Sequence, residues 1–217
     1  MTTLGGIERA GFLLVHAAPI EGYGLEDLGV HAIGVGKVAS AVHMAELLRR
    51  REDARAVLLF GVAGAFPARH RQSAPPAGPG GLVVVGSERL GDDGVETPDG
   101  FLDLGAMQLG DVGPFAADPR LARDAANRLG APLVDGVTVS TGSGTESTSQ
   151  RVCARSGADV ESMEGAAVAY VCRLFERPLL QVRAISNWTG DRDRGEWNIG
   201  AAVDAVQRGV RRLWHGG

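Results

Sequence analysis

Lysine is almost missing from this 217-residue chain: Lys37 stands alone, and arginine supplies the rest of the permanent positive charge. The bias carries no functional weight as composition, but it leaves Lys37 without neighbours of its kind. Basic residues are also outnumbered, 22 Lys and Arg against 26 Asp and Glu, for a formal net charge of −4. That removes the electrostatic case for nucleic acid, which draws its affinity from clustered cations. Cysteine is scarce: only Cys153 and Cys172 occur, in or beside an apolar helical stretch, and the first residues lack the basic then apolar pattern of a signal peptide, so none is expected. Two reduced thiols near the core of a cytoplasmic protein are expected. The five histidines show no metal spacing and no nearby cysteine pair, so no structural metal is expected. No apolar run approaches the roughly 18 to 20 residues of a membrane span. What is present, 44% hydrophobic residues in a chain of this length, suits one domain over residues 1–217 and a small-molecule ligand.

Short apolar runs at residues 12–15, 57–60, 82–85 and 179–185, with others near 30–35 and 137–141, read as strands buried on both faces. Helical spacing of Val38, Ala41, Val42, Ala45 and Leu48 follows the run near 30–35. Asp118-Pro119 starts another helix that runs to Leu129 and stops at Gly130. A further helix carries Glu164, and Ile199, Ala202, Val203, Val206, Val210 and Leu213 outline a last one. Strands separated by helices predict a mostly parallel sheet covered on both faces. Residues 69–81, 86–113 and 142–149 read as loops; the second is long enough to be functional or interfacial.

In such a sheet, ligands bind beyond the carboxyl ends of the strands. Residues 179–185 end in Ser186, Asn187 and Trp188, which belong there. Glu21 follows the first strand, where it can reach a ligand; position alone fits a helix-start acid complementing the macrodipole at least as well. Gly61 and Gly64 close the 57–60 strand and let backbone approach a ligand. The turn Gly34-Val35-Gly36-Lys37 lacks the third glycine and the later acid of a dinucleotide site. Its lysine is not followed by Ser or Thr, as a P-loop needs, so neither phosphate-binding motif is present and no cofactor is expected.

The succession GVGKVAS, FGVAGAF, GGLVVVGSE, SMEGAA and RAISNWTG resembles the purine nucleoside phosphorylase and methylthioadenosine nucleosidase superfamily over nearly the whole chain. Within it, RAISN-x-x-G-x-RDR-x-x-W is most similar to the futalosine hydrolases of the alternative menaquinone pathway. The resemblance implies an α/β, single-domain, three-layer fold with a central mixed, partly barrel-like sheet flanked by helices. It also implies a homo-oligomer in which a neighbour's loop completes the site, with residues 86–113 as the candidate loop.

The resemblance also implies roles. Breaking a purine N-glycosidic bond makes the sugar cationic and the base anionic, so Glu164 would bind the ribose hydroxyls beside the developing cation. Met163 would pack on the ribose, and Gly64 would allow close approach. Glu21 matches the water-activating carboxylate, and Arg183 would orient that region or be structural. Adenine nucleosidases carry Asp where this chain has Asn187. An amide with Ser186 beside it suits a 6-oxopurine such as hypoxanthine, but it has no proton to give the leaving group. Trp188 and Trp197 would wall the 5′ group or anchor their loop, and Arg69, Arg71, Arg192 and Arg194 are candidates for its carboxylate. An inosine phosphorylase, using Ser87, Arg69 and turn amides for phosphate, is the nearest rival. A noncatalytic purine-nucleoside binder is the third reading.

Overall fold

The computed structural model describes residues 3–71, 75–191 and 198–214. In chain order its elements are β1 (Thr3–Leu4), β2 (Ile7–Glu8), β3 (Phe12–His16), α1 (Pro19–Gly22), β4 (Val30–Ala32), α2 (Lys37–Arg50), β5 (Ala56–Ala65), β6 (Leu82–Leu90), β7 (Gly94–Thr97), β8 (Gly100–Asp103), β9 (Phe115–Ala116), α3 (Pro119–Leu129), β10 (Leu133–Thr138), α4 (Glu146–Ser156), β11 (Val160–Ser162), α5 (Gly165–Leu174), β12 (Leu179–Trp188) and α6 (Ile199–Arg212).

The sheet closes on itself. β5, β12, β6, β10 and β11 pair in succession, and β11 returns to β5. β5 can serve both the ring and an open wing because it is long. Its first half, Ala56 to Leu59, pairs in parallel with β3, which carries β4 beyond it, while Gly64 and Ala65 pair antiparallel with β11. β12 lies parallel to β5 and antiparallel to β6, so the sheet is mixed and partly barrel-like, as expected. Covered on both faces, β12 buries every residue except Trp188, and β3 buries all of its own.

The strongest local signals hold. Asp118 Oδ1 accepts from the backbone N–H groups of Arg120 and Leu121 at 2.9 and 3.0 Å, and Gly130 ends α3 in the left-handed region at φ 61°. α6 buries Ala202, Val203, Val206 and Val210 against the sheet, and Phe12 meets Trp214 edge to face at 5.5 Å.

Other expectations are corrected. The strand expected over residues 30–35 stops at Ala32, because Gly34 and Gly36 turn the chain at φ 83° and 92°. On α2, Val38 and Val42 are exposed at 79% and 61%, while Ser40, Met44 and Leu48 face the core. Residues 86–113 are not one loop: β6 continues to Leu90, and β7 and β8 form a hairpin. Residues 142–149 hold the start of α4, whose N-cap Thr145 accepts from the Thr148 N–H. Glu164 is not carried within a helix. Val160–Ser162 is a strand, and Glu164 occupies the junction before α5. Lys37, at the start of α2, clasps Asp92 at 2.5 Å and also Asp93, which ties the helix to the end of β6.

Candidate active site

The carboxyl ends of β3, β5, β11 and β12 surround a cavity of about 390 Å³, within the range of small-molecule pockets. Glu21, Gly64, Met163, Glu164, Ser186 and Asn187 all line it, although they come from four separate stretches of chain. Arg183 and Trp188 do not. Arg183 lies behind the wall, 1% exposed, and Trp188 faces outward at 37% exposure with its ring over Gly78. Arg192, Arg194 and Trp197 lie outside the described residues, as does the side chain of Arg69. Arg71 is engaged by Asp159 and by the Ala158 carbonyl.

Glu21 is 3% exposed and held by backbone alone. Its Oε2 accepts from the N–H groups of Ala17 and Ala18 at 3.0 and 2.9 Å, and its Oε1 accepts from Val62 at 3.0 Å. The first two donors belong to the turn that leads into α1, and the third reaches across from β5. A carboxylate offers about four acceptor positions, so one is left for another donor.

Glu164 accepts at Oε1 from the Gly36 N–H at 3.0 Å, and its Oε2 lies 4.0 Å from Arg183 Nη1. Gly36 can present that N–H because its φ of 92° suits glycine. Burial pushes the Glu164 carboxyl above its ordinary range; the Arg183 guanidinium and the Gly36 N–H pull the other way. None of the three Arg183 guanidinium nitrogens has a hydrogen-bond partner among the described residues.

At the other end, Asn187 Oδ1 lies 2.7 Å from the Ser186 hydroxyl, and Asn187 Nδ2 donates to the Trp188 carbonyl at 2.8 Å. These contacts fix which way the amide points and leave one N–H of Nδ2 for a ligand. A register shift between Ile185 and Asn187 in the pairing with β5 aims the strand end in this way.

Four groups escaped the sequence reading. Glu161 lines the cavity and accepts from the Ser143 N–H at 2.7 Å and from the Ser143 hydroxyl. Burial raises its carboxyl pKa, opposed by those bonds. Thr189 and Gly142 also line the cavity. Glu88 is buried behind it, accepting from Thr138 Oγ1 at 3.0 Å. Burial pushes Glu88 up to about 7, with Arg183, Thr138 and Gln181 acting against the rise. The SMEGAA motif flanks Glu161, and an acid directly before Ser162 was the signal that could have found it. Among the described residues no cluster of His, Cys, Asp and Glu could hold a metal ion.

A closed strand ring around a cavity lined by carboxylates and an amide marks the class, and a model of the phosphorylase superfamily matches residues 26–213. A futalosine hydrolase of Thermus thermophilus is 36% identical over 187 residues, 83% of this chain and 78% of the relative. A futalosine hydrolase of Streptomyces coelicolor is 37% identical over 158 residues, 72% of this chain and 64% of the relative. The solved 5′-methylthioadenosine/S-adenosylhomocysteine nucleosidase of Colwellia psychrerythraea, in complex with adenine, superposes with a TM-score of 0.78 at 20% identity, covering 93% of each chain. The chain belongs to the futalosine hydrolase family of the phosphorylase superfamily.

Proposed function

We propose that this protein hydrolyses the N-glycosidic bond of futalosine, releasing hypoxanthine and dehypoxanthine futalosine, as a step of the alternative menaquinone pathway. One observation carries the choice of water over phosphate. Among the described residues that line the cavity there is no Lys, Arg or His, whereas three carboxylates, Glu21, Glu161 and Glu164, line it. Glu21 lies close enough to Glu164 for its charge to add to burial in pushing the Glu164 carboxyl up. A phosphate dianion would be repelled there, while a water molecule finds an acceptor. Ser87, a candidate phosphate ligand of the rival reading, lies in β6 paired with Ala116 of β9 and does not line the cavity.

In this reading Glu164 accepts both ribose hydroxyls and stabilises the oxocarbenium-like sugar. The free acceptor position of Glu21 takes the proton of the attacking water. Arg183, buried behind the wall beside Glu164 with no hydrogen-bond partner for its guanidinium among the described residues, offsets the repulsion between the two carboxylates and orients Glu164. Met163 packs on the ribose, Gly64 gives the base room, and Asn187, oriented by Ser186, donates to the 6-oxopurine. A binder with no catalysis would have no use for Glu21 held on three N–H groups.

We place the protein in the cytoplasm, where two free buried thiols are at home. We also infer a homo-oligomer: Val35 at the cavity, with Val38 and Val42, exposes apolar surface that a second copy would cover. Purified protein should release hypoxanthine from futalosine without phosphate and act poorly on methylthioadenosine. Cleavage of inosine only when phosphate is added would make it a phosphorylase instead.

A further inference from the structure

Glu146, His70, Ser149 and Thr189 form an unbroken chain of hydrogen bonds from solvent to the cavity. Thr189 lines the cavity at its base end: a side chain at Gly64 would meet Thr189 Cγ2 at 2.9 Å and Asn187 Nδ2 at 3.6 Å. Thr189 Oγ1 lies 2.7 Å from Ser149 Oγ, which lies 2.8 Å from His70 Nδ1. His70 Nε2 lies 2.7 Å from Glu146 Oε1. The middle of the chain is dry, with Ser149 at 0% exposure and the His70 side chain at 2%, while the Glu146 side chain is 40% exposed. The hydroxyls are not needed as backbone caps. The N–H groups of Ser149 and Thr189 already donate to the carbonyls of Thr145 and Ala65, and the Thr189 hydroxyl has only a long 3.4 Å contact to Ala65 O. Burying three linked polar side chains is costly without a use for them.

We propose that these four residues are a proton relay that protonates the departing base. The proposal rests on the hydrolase reading, in which Asn187 has no proton to transfer. As the glycosidic C–N bond breaks, its electron pair goes to the base. The Thr189 hydroxyl gives its hydrogen to the base and takes one from Ser149, and Ser149 takes the Nδ1 hydrogen of His70 as His70 gains one at Nε2 from solvent at the Glu146 end. His70 is left with its hydrogen at Nε2, on Glu146, and with Nδ1 bare beside Ser149. The attacking water adds hydroxide to the anomeric carbon and gives its proton to Glu21. Once the base has left, water in the cavity returns a hydrogen through Thr189 and Ser149 to Nδ1, His70 releases its Nε2 hydrogen to solvent at the Glu146 end, and solvent receives the proton from Glu21, so the turnover balances as hydrolysis. Thr189 is the residue that touches the base; Ser149, His70 and Glu146 act through it.

The test compares variants with and without the hydroxyl, on futalosine and on analogues carrying progressively more acidic 6-oxopurines. Thr189→Val and Ser149→Ala should lower kcat on futalosine by roughly 30-fold or more with KM changed less than about threefold. Thr189→Ser and Ser149→Thr should restore it. The loss should shrink steadily as the base becomes more acidic, because a good leaving group departs without a proton. Thr189→Val is isosteric, so it and Thr189→Ser decide the matter even if Ser149→Ala unfolds. Undiminished kcat in Thr189→Val, or a loss of equal size across the whole series, overturns the relay. Wild-type protein that cleaves none of the series without phosphate overturns the hydrolase reading itself, which is a separate result.

Discussion

Glu21 Oε1 and Arg183 Nη1 converge on one point: a methyl group placed on Gly61 would lie 2.5 Å from the first and 2.9 Å from the second. An acceptor and a donor facing the same small space can share a water, and they leave no room for carbon. Gly61→Ala is therefore expected to displace one of them. A shift of this size costs about 10²-fold in kcat, and overpacking costs about 1 to 3 kcal/mol of stability. Steady-state kinetics and thermal melting read the two effects, and an Ala variant with wild-type kcat would show that the two groups do not act at that point.

Glu21→Gln and Glu164→Gln should both be severely impaired, in different ways. The first variant must turn an NH₂ group toward backbone N–H groups of Ala17 and Ala18 or of Val62, and it loses the proton acceptor. A fall in kcat of about 10²- to 10⁴-fold is expected with KM little changed. The second should lose kcat and raise KM together, because the ribose contact serves binding as well as the transition state. Identical kinetic signatures in the two variants would merge the roles assigned to them.

Much of the frame was legible because its signals are local. Asp118-Pro119 with Gly130 bounds α3, and the apolar runs of β3 and β12 announce strands buried on both faces. Asn187 at the end of β12 was legible from RAISN, whereas Glu164 of SMEGAA reads as helical and instead occupies the junction between β11 and α5. What stayed hidden depends on ring closure. Nothing near Gly64 predicts that it pairs with Glu161, and β6 reads as ending at Val85 because Gly-Ser-Glu-Arg looks like a turn. Glu88 fits in a strand only because Thr138 of β10 meets it there. α4 hid behind Ser and Thr: its buried face is Ser149, Val152 and Cys153, too polar to show a stripe, although Thr145 followed by Glu146 is a usable helix start.

Asn187→Asp should move preference toward 6-amino purines. The introduced carboxyl would face the Trp188 carbonyl that now accepts from Nδ2 at 2.8 Å, an arrangement that favours its protonated form. A protonated acid can donate to N7 while its other oxygen accepts from a 6-amino group. A change of about tenfold or more in the ratio of kcat/KM for hypoxanthine and adenine nucleosides is expected. An unchanged ratio would remove the account of base choice.

Glu88 makes stability depend on pH. Its pKa is raised to about 7 from the ordinary 4.5, so between those values the folded chain holds a proton that the unfolded chain has released. Folding is then most favoured by this group below the unfolded value and loses stability as pH rises toward 7. The loss is on the order of 3 kcal/mol in total. Glu88→Gln removes that slope. Urea unfolding at pH 5 and pH 8 should show the wild type losing more stability than the variant over this interval, and equal losses would show that Glu88 is ionised throughout.

The bond from Val62 to Glu21 means that a strand amide ends on a side-chain carboxylate rather than on a neighbouring strand. Its proton resonance therefore senses the charge state of the group assigned to water activation. In a nitrogen-15-labelled sample, Val62 becomes a built-in spectroscopic reporter, separating proton transfer to Glu21 from ligand binding elsewhere in the cavity without any added probe.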